Sequence, residues 1–279
     1  MVRLDTNLKK LLISEIKAGK SINNICSSLK LGKSTAYYYY KKIRGRKYPV
    51  FIYKPTFSEA EGEILGIFVG DGSQYYYKPN WEYQTNIHFG NNLDYINYVK
   101  SLYISYFGPT WSLLKELTKQ GNSKYRLRAH NRAVFGYFSN YIAYDSHSKH
   151  DTVKLKTLDL PKPFKIGLLR GILDTDGTIS ERKSGLRIHY YTTSKVLARQ
   201  IKILLKEFNI AANIYILKRK GLKDLCEINV LQAGVLKFIK VIQPYKARRW
   251  AHRSVVDRPL GDGNHLSGGV HYYKNNNDP

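Results

Sequence analysis

Cysteine is almost missing from this sequence: Cys26 and Cys226 are the only two, far apart in the chain. That excludes a disulfide framework and a thiolate zinc site. Acidic residues are scarce, 21 Asp and Glu against 46 Lys and Arg, which leaves a net charge of +25. Such an excess exceeds what solubility requires, and it points to a polyanionic partner. Long apolar runs are also lacking, since no window reaches the roughly 18 uninterrupted apolar residues of a spanning helix. The opening "MVRLDTNLKK" does not read as a signal peptide. An intracellular protein, cytoplasmic or nucleoid-associated and without a membrane partner, is therefore expected. A basic ribosome-type or chromatin-type surface would share this composition.

The basic residues are concentrated. Residues 1–50 hold twelve Lys and Arg against Asp5 and Glu15, and residues 218–258 hold eleven against Asp224, Glu227 and Asp257. Within the first segment the spacing predicts three short helices over 6–46. "NLKKLLISEIKAG" stops at Gly19, "SINNICSSLKLG" runs from Ser21 to Gly32, and "KSTAYYYYKKIRGR" opens on Ser34 as its N-cap. Two short helices around a glycine turn suit a helix-turn-helix whose last helix enters the major groove. The pattern resembles the helix-turn-helix of resolvase-type DNA-binding domains. Lys33, Ser34, Thr35, Tyr38 and Lys41 are then its DNA-facing candidates. Residues 1–46 form this expected domain, and 47–57, with two prolines, the linker.

From residue 58 the sequence repeats itself. "EGEILGIFVGDGS" (61–73) matches "KIGLLRGILDTDGTIS" (165–180), and "NIHFG" (86–90) matches "RIHYY" (187–191). A helical segment follows in each copy (92–107 and 194–208). Two strand-like segments come next (110–117 and 123–129; 211–219 and 224–230), then a closing helix (131–143 and 231–243). The predicted order, αββαββα, occurs twice, over 58–160 and 161–256. The Gly- and Asn-rich tail 257–279 is expected to be poorly ordered.

Gly62, Gly66 and Gly70 fall at i, i+4 and i+8, and Gly167, Gly171 and Thr175 fall at the matching places. A glycine inside a helix costs about 0.5–1 kcal/mol against alanine, so a stripe of them predicts close backbone contact between the two motif helices. Asp71 and Asp176 then share a repeat position at the ends of those helices, before Gly72 and Gly177, which suit left-handed C-terminal caps. Carboxylates at a helix C-terminus oppose the dipole by about 0.3–1 kcal/mol each. Two that converge repel each other unless a proton or a cation intervenes. Oxygen-only ligands favour a hard cation, Mg²⁺ first. Asp174 has Val69 as its counterpart, so a local or asymmetric role is expected of it.

"ILGIFVGDG" (64–72) and "LRGILDTDG" (169–177) resemble the paired motifs of the LAGLIDADG homing endonucleases in their single-chain form, over residues 58–255. The resemblance implies an α+β fold: two pseudo-symmetric αββαββα repeats forming a saddle of antiparallel sheets on double-stranded DNA, beside the all-α helix-turn-helix domain. It implies a monomer with an internal pseudo-twofold axis. Two or three Mg²⁺ ions would serve it, Mn²⁺ substituting and Ca²⁺ binding without cleavage. The metal ligands carried over are Asp71 and Asp176, with the carbonyls of Gly70 and Thr175. Family members also keep a basic residue after each closing helix, which here offers Lys149 and Lys246, with Arg248 as competitor.

Strand residues His88, Arg126, Arg128, Arg187, His189, Lys218 and Arg219 could reach DNA, and His88 and His189 are expected to be repeat-equivalent. His147 and His150, an H-x-x-H without cysteine partners, read as loop residues. The leading expectation is a site-specific, Mg²⁺-dependent double-strand DNA endonuclease. A non-cleaving transcription regulator of the same fold and an RNA-splicing maturase, with RNA as partner, stay open. An intein is not expected, because flanking splicing residues are missing.

Overall fold

We describe the chain from a computed structural model, over residues 4–44, 54–80, 82–117, 121, 123–182 and 185–248. Most of the 47–57 segment and all of the 257–279 tail lie outside these residues. Helices α1 (Thr6–Lys17), α2 (Ile22–Leu29) and α3 (Lys33–Arg44) come first. They enclose a small core of Leu12, Ile16, Ile25 and Ala36, separate from the main one. Two expected boundaries move. Helix α2 ends at Lys30, which turns left-handed (φ 50°) and brings Leu31 back against the small core, whereas Gly32 was expected to close it. Helix α3 begins at Lys33, because the Gly32 carbonyl accepts the first helical N–H bonds, from Thr35 and Ala36. Ser34 therefore lies inside the helix instead of capping it.

The first repeat runs α4 (Glu59–Asp71), β1 (Gly72–Tyr77), β2 (Glu82–Phe89), α5 (Leu93–Phe107), β3 (Trp111–Leu117), β4 (Ser123–His130) and α6 (Arg132–Tyr141). A connector carries the short pair β5 (Ile142–Ala143) and β6 (Lys154–Leu155) around the one-turn α7 (Lys149–Thr152). The second repeat follows as α8 (Lys162–Asp176), β7 (Gly177–Arg182), β8 (Gly185–Thr192), α9 (Lys195–Glu207), β9 (Ala212–Leu217), β10 (Leu225–Val230) and α10 (Gln232–Ile242). Polar caps set several starts: Ser58, Asn92, Asn131 and Ser194 each accept an N–H from the first turn of their helix.

Each repeat folds one four-stranded antiparallel sheet, ordered β1-β2-β4-β3 and β7-β8-β10-β9. Alternation assigns the faces. Ile87, Phe89, Leu127 and Ala129 in the first sheet, and Ile188, Tyr190, Ile228 and Val230 in the second, are buried in one continuous core with the helices. Ladder register corrects one expected pairing. Gly72 faces Ile87 whereas Gly177 faces Tyr190, so the counterpart of His189 is Asn86 and that of His88 is Tyr191. The two histidines keep the same kind of face but stand two residues apart along equivalent strands, because the hairpins differ in length.

The motif helices α4 and α8 lie against each other along the glycine stripe. A Cβ on Gly62 or Gly66 would run into the carbonyl oxygens of Phe164 and Leu168, and one on Gly167 or Gly171 into those of Glu59 and Glu63. The contacts repeat symmetrically, so only hydrogen atoms separate the two backbones. Arg170 ties the start of this interface by donating to Glu59, to buried Glu63 and to the Ile242 carbonyl. At the other end the expected left-handed caps are absent. Gly72 (φ −84°, ψ 151°) and Gly177 (φ −113°, ψ 170°) are extended and lead each helix straight into a strand. They are glycines because a Cβ would collide with Phe68 or Leu173 one turn below.

Candidate active site

Because α4 and α8 cross in register, their C-terminal ends arrive together. Gly70 abuts Thr175, and a Cβ on Gly70 would come within 3.0 Å of the Asp176 carboxylate. Asp71 and Asp176 therefore stand side by side, at the foot of both helices and where both strands start. The placement is electrostatically costly. Burial and the neighbouring Asp176 push the Asp71 carboxyl up to about 6, against the opposing pull of Lys149 and Lys246. Asp176 is more exposed, yet partial desolvation of its carboxylate still raises it, against the pull of Lys149, Lys246 and His150.

Two lysines answer the negative helix ends. Lys149 Nζ donates to the carbonyls of Phe68, Val69 and Gly70 at 2.9, 2.8 and 2.9 Å. Lys246 Nζ donates to those of Leu173, Thr175 and Gly177 at 3.1, 3.3 and 2.5 Å. The first lysine precedes the second repeat and the second follows α10, yet each caps the motif helix of its own repeat. Desolvation lowers the Lys149 ammonium to about 8 despite attraction from Asp176 and Asp71. Arg248 is placed elsewhere, stacked over the rings of Tyr98 and Tyr245.

A cavity of about 260 Å³ opens beside Asp71, lined among others by Asn91, Asn92, Tyr95, Asp174 and Lys246. Buried Asp174 accepts the backbone N–H groups of Tyr245 (2.8 Å) and Lys246 (2.9 Å). Burial raises its carboxyl to about 6, and those two bonds oppose the rise. Sequence reasoning left Asp174 without a partner, since nothing in the chain marks residues 245 and 246 as its neighbours.

The donor set suits a hard divalent ion: two carboxylates, with no sulfur or imidazole between them, flanked by the Gly70 and Thr175 carbonyls, each of which already accepts a lysine Nζ and keeps one lone pair. Mg²⁺ is commonly held by one or two carboxylates, its remaining positions taken by water and phosphate oxygen. His147 is exposed and meets Asp145 and Ser146, whereas exposed His150 on α7 lies near enough to Asp176 to pull its carboxyl down.

On the helix-free faces, several expected contact residues are already engaged. Arg126 pairs with Glu116, and Arg128 Nε donates to Asn86 at 3.2 Å. His88 bonds Ser73 at 2.9 Å, and burial together with Arg126, Lys149, Lys124 and Arg128 lowers its imidazole. His189 meets Glu227 at 2.7 Å, while Arg187 on the same strand face is exposed. Lys218 and Arg219 are not strand residues. They lie beyond β9 in the turn, where Lys218 pairs with Asp224 and Arg219 donates to the Lys223 carbonyl. The expected strand ran to residue 219, but the ladder ends at Leu217 opposite Leu225. Exposed Tyr75 and Tyr77, stacked at 6.4 Å on the first sheet, were overlooked. The consecutive tyrosines at 75–77 were the available signal.

Residues 163–243 match a family model described as a LAGLIDADG-like domain. Among solved structures, the chain resembles I-DmoI in complex with DNA and Ca, with TM-score 0.54 and 16% identity over 71% of this chain and 100% of that one. Mesophilic variants of the homing endonuclease I-DmoI match with TM-score 0.51 and 14% identity, over 69% of this chain and 99% of theirs. The homing endonuclease I-WcaI, bound to its DNA recognition sequence, gives TM-score 0.48 and 16% identity over 70% and 86%. No curated protein sequence matches the chain. The second repeat is thus a LAGLIDADG-like domain, and the paired repeats have the LAGLIDADG homing endonuclease fold. Among the described residues no helix is long and apolar enough to cross a membrane.

Proposed function

We propose that the protein is a site-specific, divalent-metal-dependent double-strand DNA endonuclease. One observation carries this reading: Asp71 and Asp176, from equivalent repeat positions, converge at two abutting helix ends between Lys149 and Lys246. Asp71 and Asp176 would hold the ions, assisted by the Gly70 and Thr175 carbonyls. A divalent ion bound there supplies Lewis-acid polarisation of the phosphodiester, activation of water and neutralisation of the leaving oxygen. The two ammonium groups, each spending its three N–H donors on helix-end carbonyls, would add positive charge beside the bound phosphate. Arg187 and the stacked Tyr75 and Tyr77 offer contact surface to the duplex, and Lys124, Arg126 and Arg128 supply positive charge on the first sheet.

Helix α3 is read as a second duplex contact. Lys33, Ser34 and Lys41 are exposed on it, with Thr35 and Tyr38 partly so, and Lys42 stands over the Tyr38 ring. Incubating the full chain with a library of random or genomic plasmid DNA tests the reading. Double-strand breaks at a few sites in Mg²⁺, and none with Asp71→Asn or Asp176→Asn, are expected. Specific binding without nicking in any divalent metal would leave a DNA-binding regulator instead.

A further inference from the structure

The two lysines reach equivalent positions by unlike means. Lys149 sits on α7, inside a connector fastened to the second repeat. The Thr193 hydroxyl donates to the His150 carbonyl at 2.9 Å, Ser194 Oγ to the Val153 carbonyl at 2.7 Å, and Gln200 bonds both the N–H and the carbonyl of Leu155. Lys223 pairs with Asp151. Lys246 instead follows α10 directly, in a turn whose Tyr245 ring packs on Tyr95 and Tyr98. Its backbone N–H, with that of Tyr245, is held by Asp174 from within the motif helix itself.

We propose that Asp174 is the positioning residue of Lys246, and that each half of the site is tuned by its own device. The inference deepens the nuclease reading and rests on it for its functional consequence. A carboxylate at residue 174 is only 4% exposed, a burial hard to justify unless both its oxygens are used. Both are used, one on each N–H at the start of the 3-10 turn Tyr245–Ala247. The bonds pin the main chain from which the Lys246 side chain reaches the Leu173, Thr175 and Gly177 carbonyls. In the first repeat the same position is Val69, buried and apolar, and there the connector is docked on α9 instead. The departure from symmetry at residue 174 thus accompanies the departure in how the lysine is carried.

Separate devices should be separable by mutation. Reductive methylation of the full chain with formaldehyde and cyanoborohydride, followed by peptide mass spectrometry, reads the exposure of each ammonium without requiring cleavage. In the wild type, Lys149 and Lys246 should react slowly beside exposed Lys41. Asp174→Asn should speed Lys246 about ten-fold or more and leave Lys149 unchanged, as loss of an outer-shell partner loosens the group it orients. Thr193→Val with Lys223→Met should do the reverse. Asp174→Val, which installs the first-repeat residue, serves if Asp174→Asn folds poorly, and cooperative thermal unfolding qualifies each variant. If both lysines respond together, or Lys246 stays protected, the proposal is overturned.

The functional readout is nicking of each strand of an end-labelled target. Asp174→Asn should slow one strand about ten- to a hundred-fold, and the Thr193/Lys223 pair the other. Equal slowing of both strands would contradict separate tuning. A wild type that cuts neither strand would remove the nuclease reading, while the methylation pattern would still decide whether Asp174 positions Lys246.

Discussion

Asp71 holds its charge where the surroundings resist it: half-buried, beside Asp176 and at the negative end of α4. Its carboxyl, raised from 3.8 to about 6, binds a proton more tightly in the folded chain than in the unfolded one. Stability from this residue is therefore greatest at low pH and is lost as pH rises from about 4 through 6. Asp71→Asn should remove that loss, raising unfolding free energy by about 1–2 kcal/mol at pH 8 and by little at about pH 3.5, below the unfolded value. Urea unfolding at the two pH values checks it, and an equal gain at both would contradict the cause. The same variant should abolish metal-dependent cleavage, so stability and activity would move in opposite directions. Raising the divalent ion concentration at pH 8 should stabilise the wild type more than the variant, measured as a shift in Tm. The pairing of Asp71 with Asp176 was legible because the sequence repeats itself. The partners of Asp174 were not, since its hydrogen bonds go to backbone N–H groups, which leave no mark on residue identity.

Between α4 and α8 the contact depends on what the side chains omit. Gly66→Ala or Gly171→Ala would place a methyl carbon inside the opposite backbone, and a helix cannot retreat without spreading the carboxylates at its end. Loss of several kcal/mol, or failure to accumulate as soluble protein, is expected from either. Gly136 provides the contrast: it lies within α6, and a Cβ there meets nothing within 4 Å. Gly136→Ala should instead stabilise by about 0.5–1 kcal/mol, through helix propensity alone. Thermal unfolding of the three variants distinguishes close approach from a general dislike of substitution in helices. The stripe could be read from the chain because it recurs at helical spacing in both repeats. The conformations of Gly72 and Gly177 could not, because Phe68 and Leu173 forbid a Cβ there through packing that the backbone pattern does not encode. Hairpin length misled the histidine pairing for a related reason, as register is set by the ladder and not by sequence likeness.

Across the molecule, a net charge of +25 makes the salt dependence of DNA binding a test of where the charge is used. Each phosphate neutralised contributes about −0.9 to the slope of log K against log salt, so a duplex contacting several basic residues gives a steep line. The helices α1 to α3 bring their own core and a set of lysines on α3. If that unit lies on the same duplex as the paired repeats, its lysines must contribute to this slope. Replacing Lys33 and Lys41 together by alanine should then weaken binding and lower the slope by about 2, one unit per lysine. Neither lysine is near Asp71 or Asp176 in the chain or shares their core, so the cut positions at saturating protein should stay unchanged. A slope equal to that of the wild type would place the three helices off the bound duplex. A lowered slope with displaced cuts would mean that α3 chooses where the paired repeats settle, so that recognition is divided between the two units.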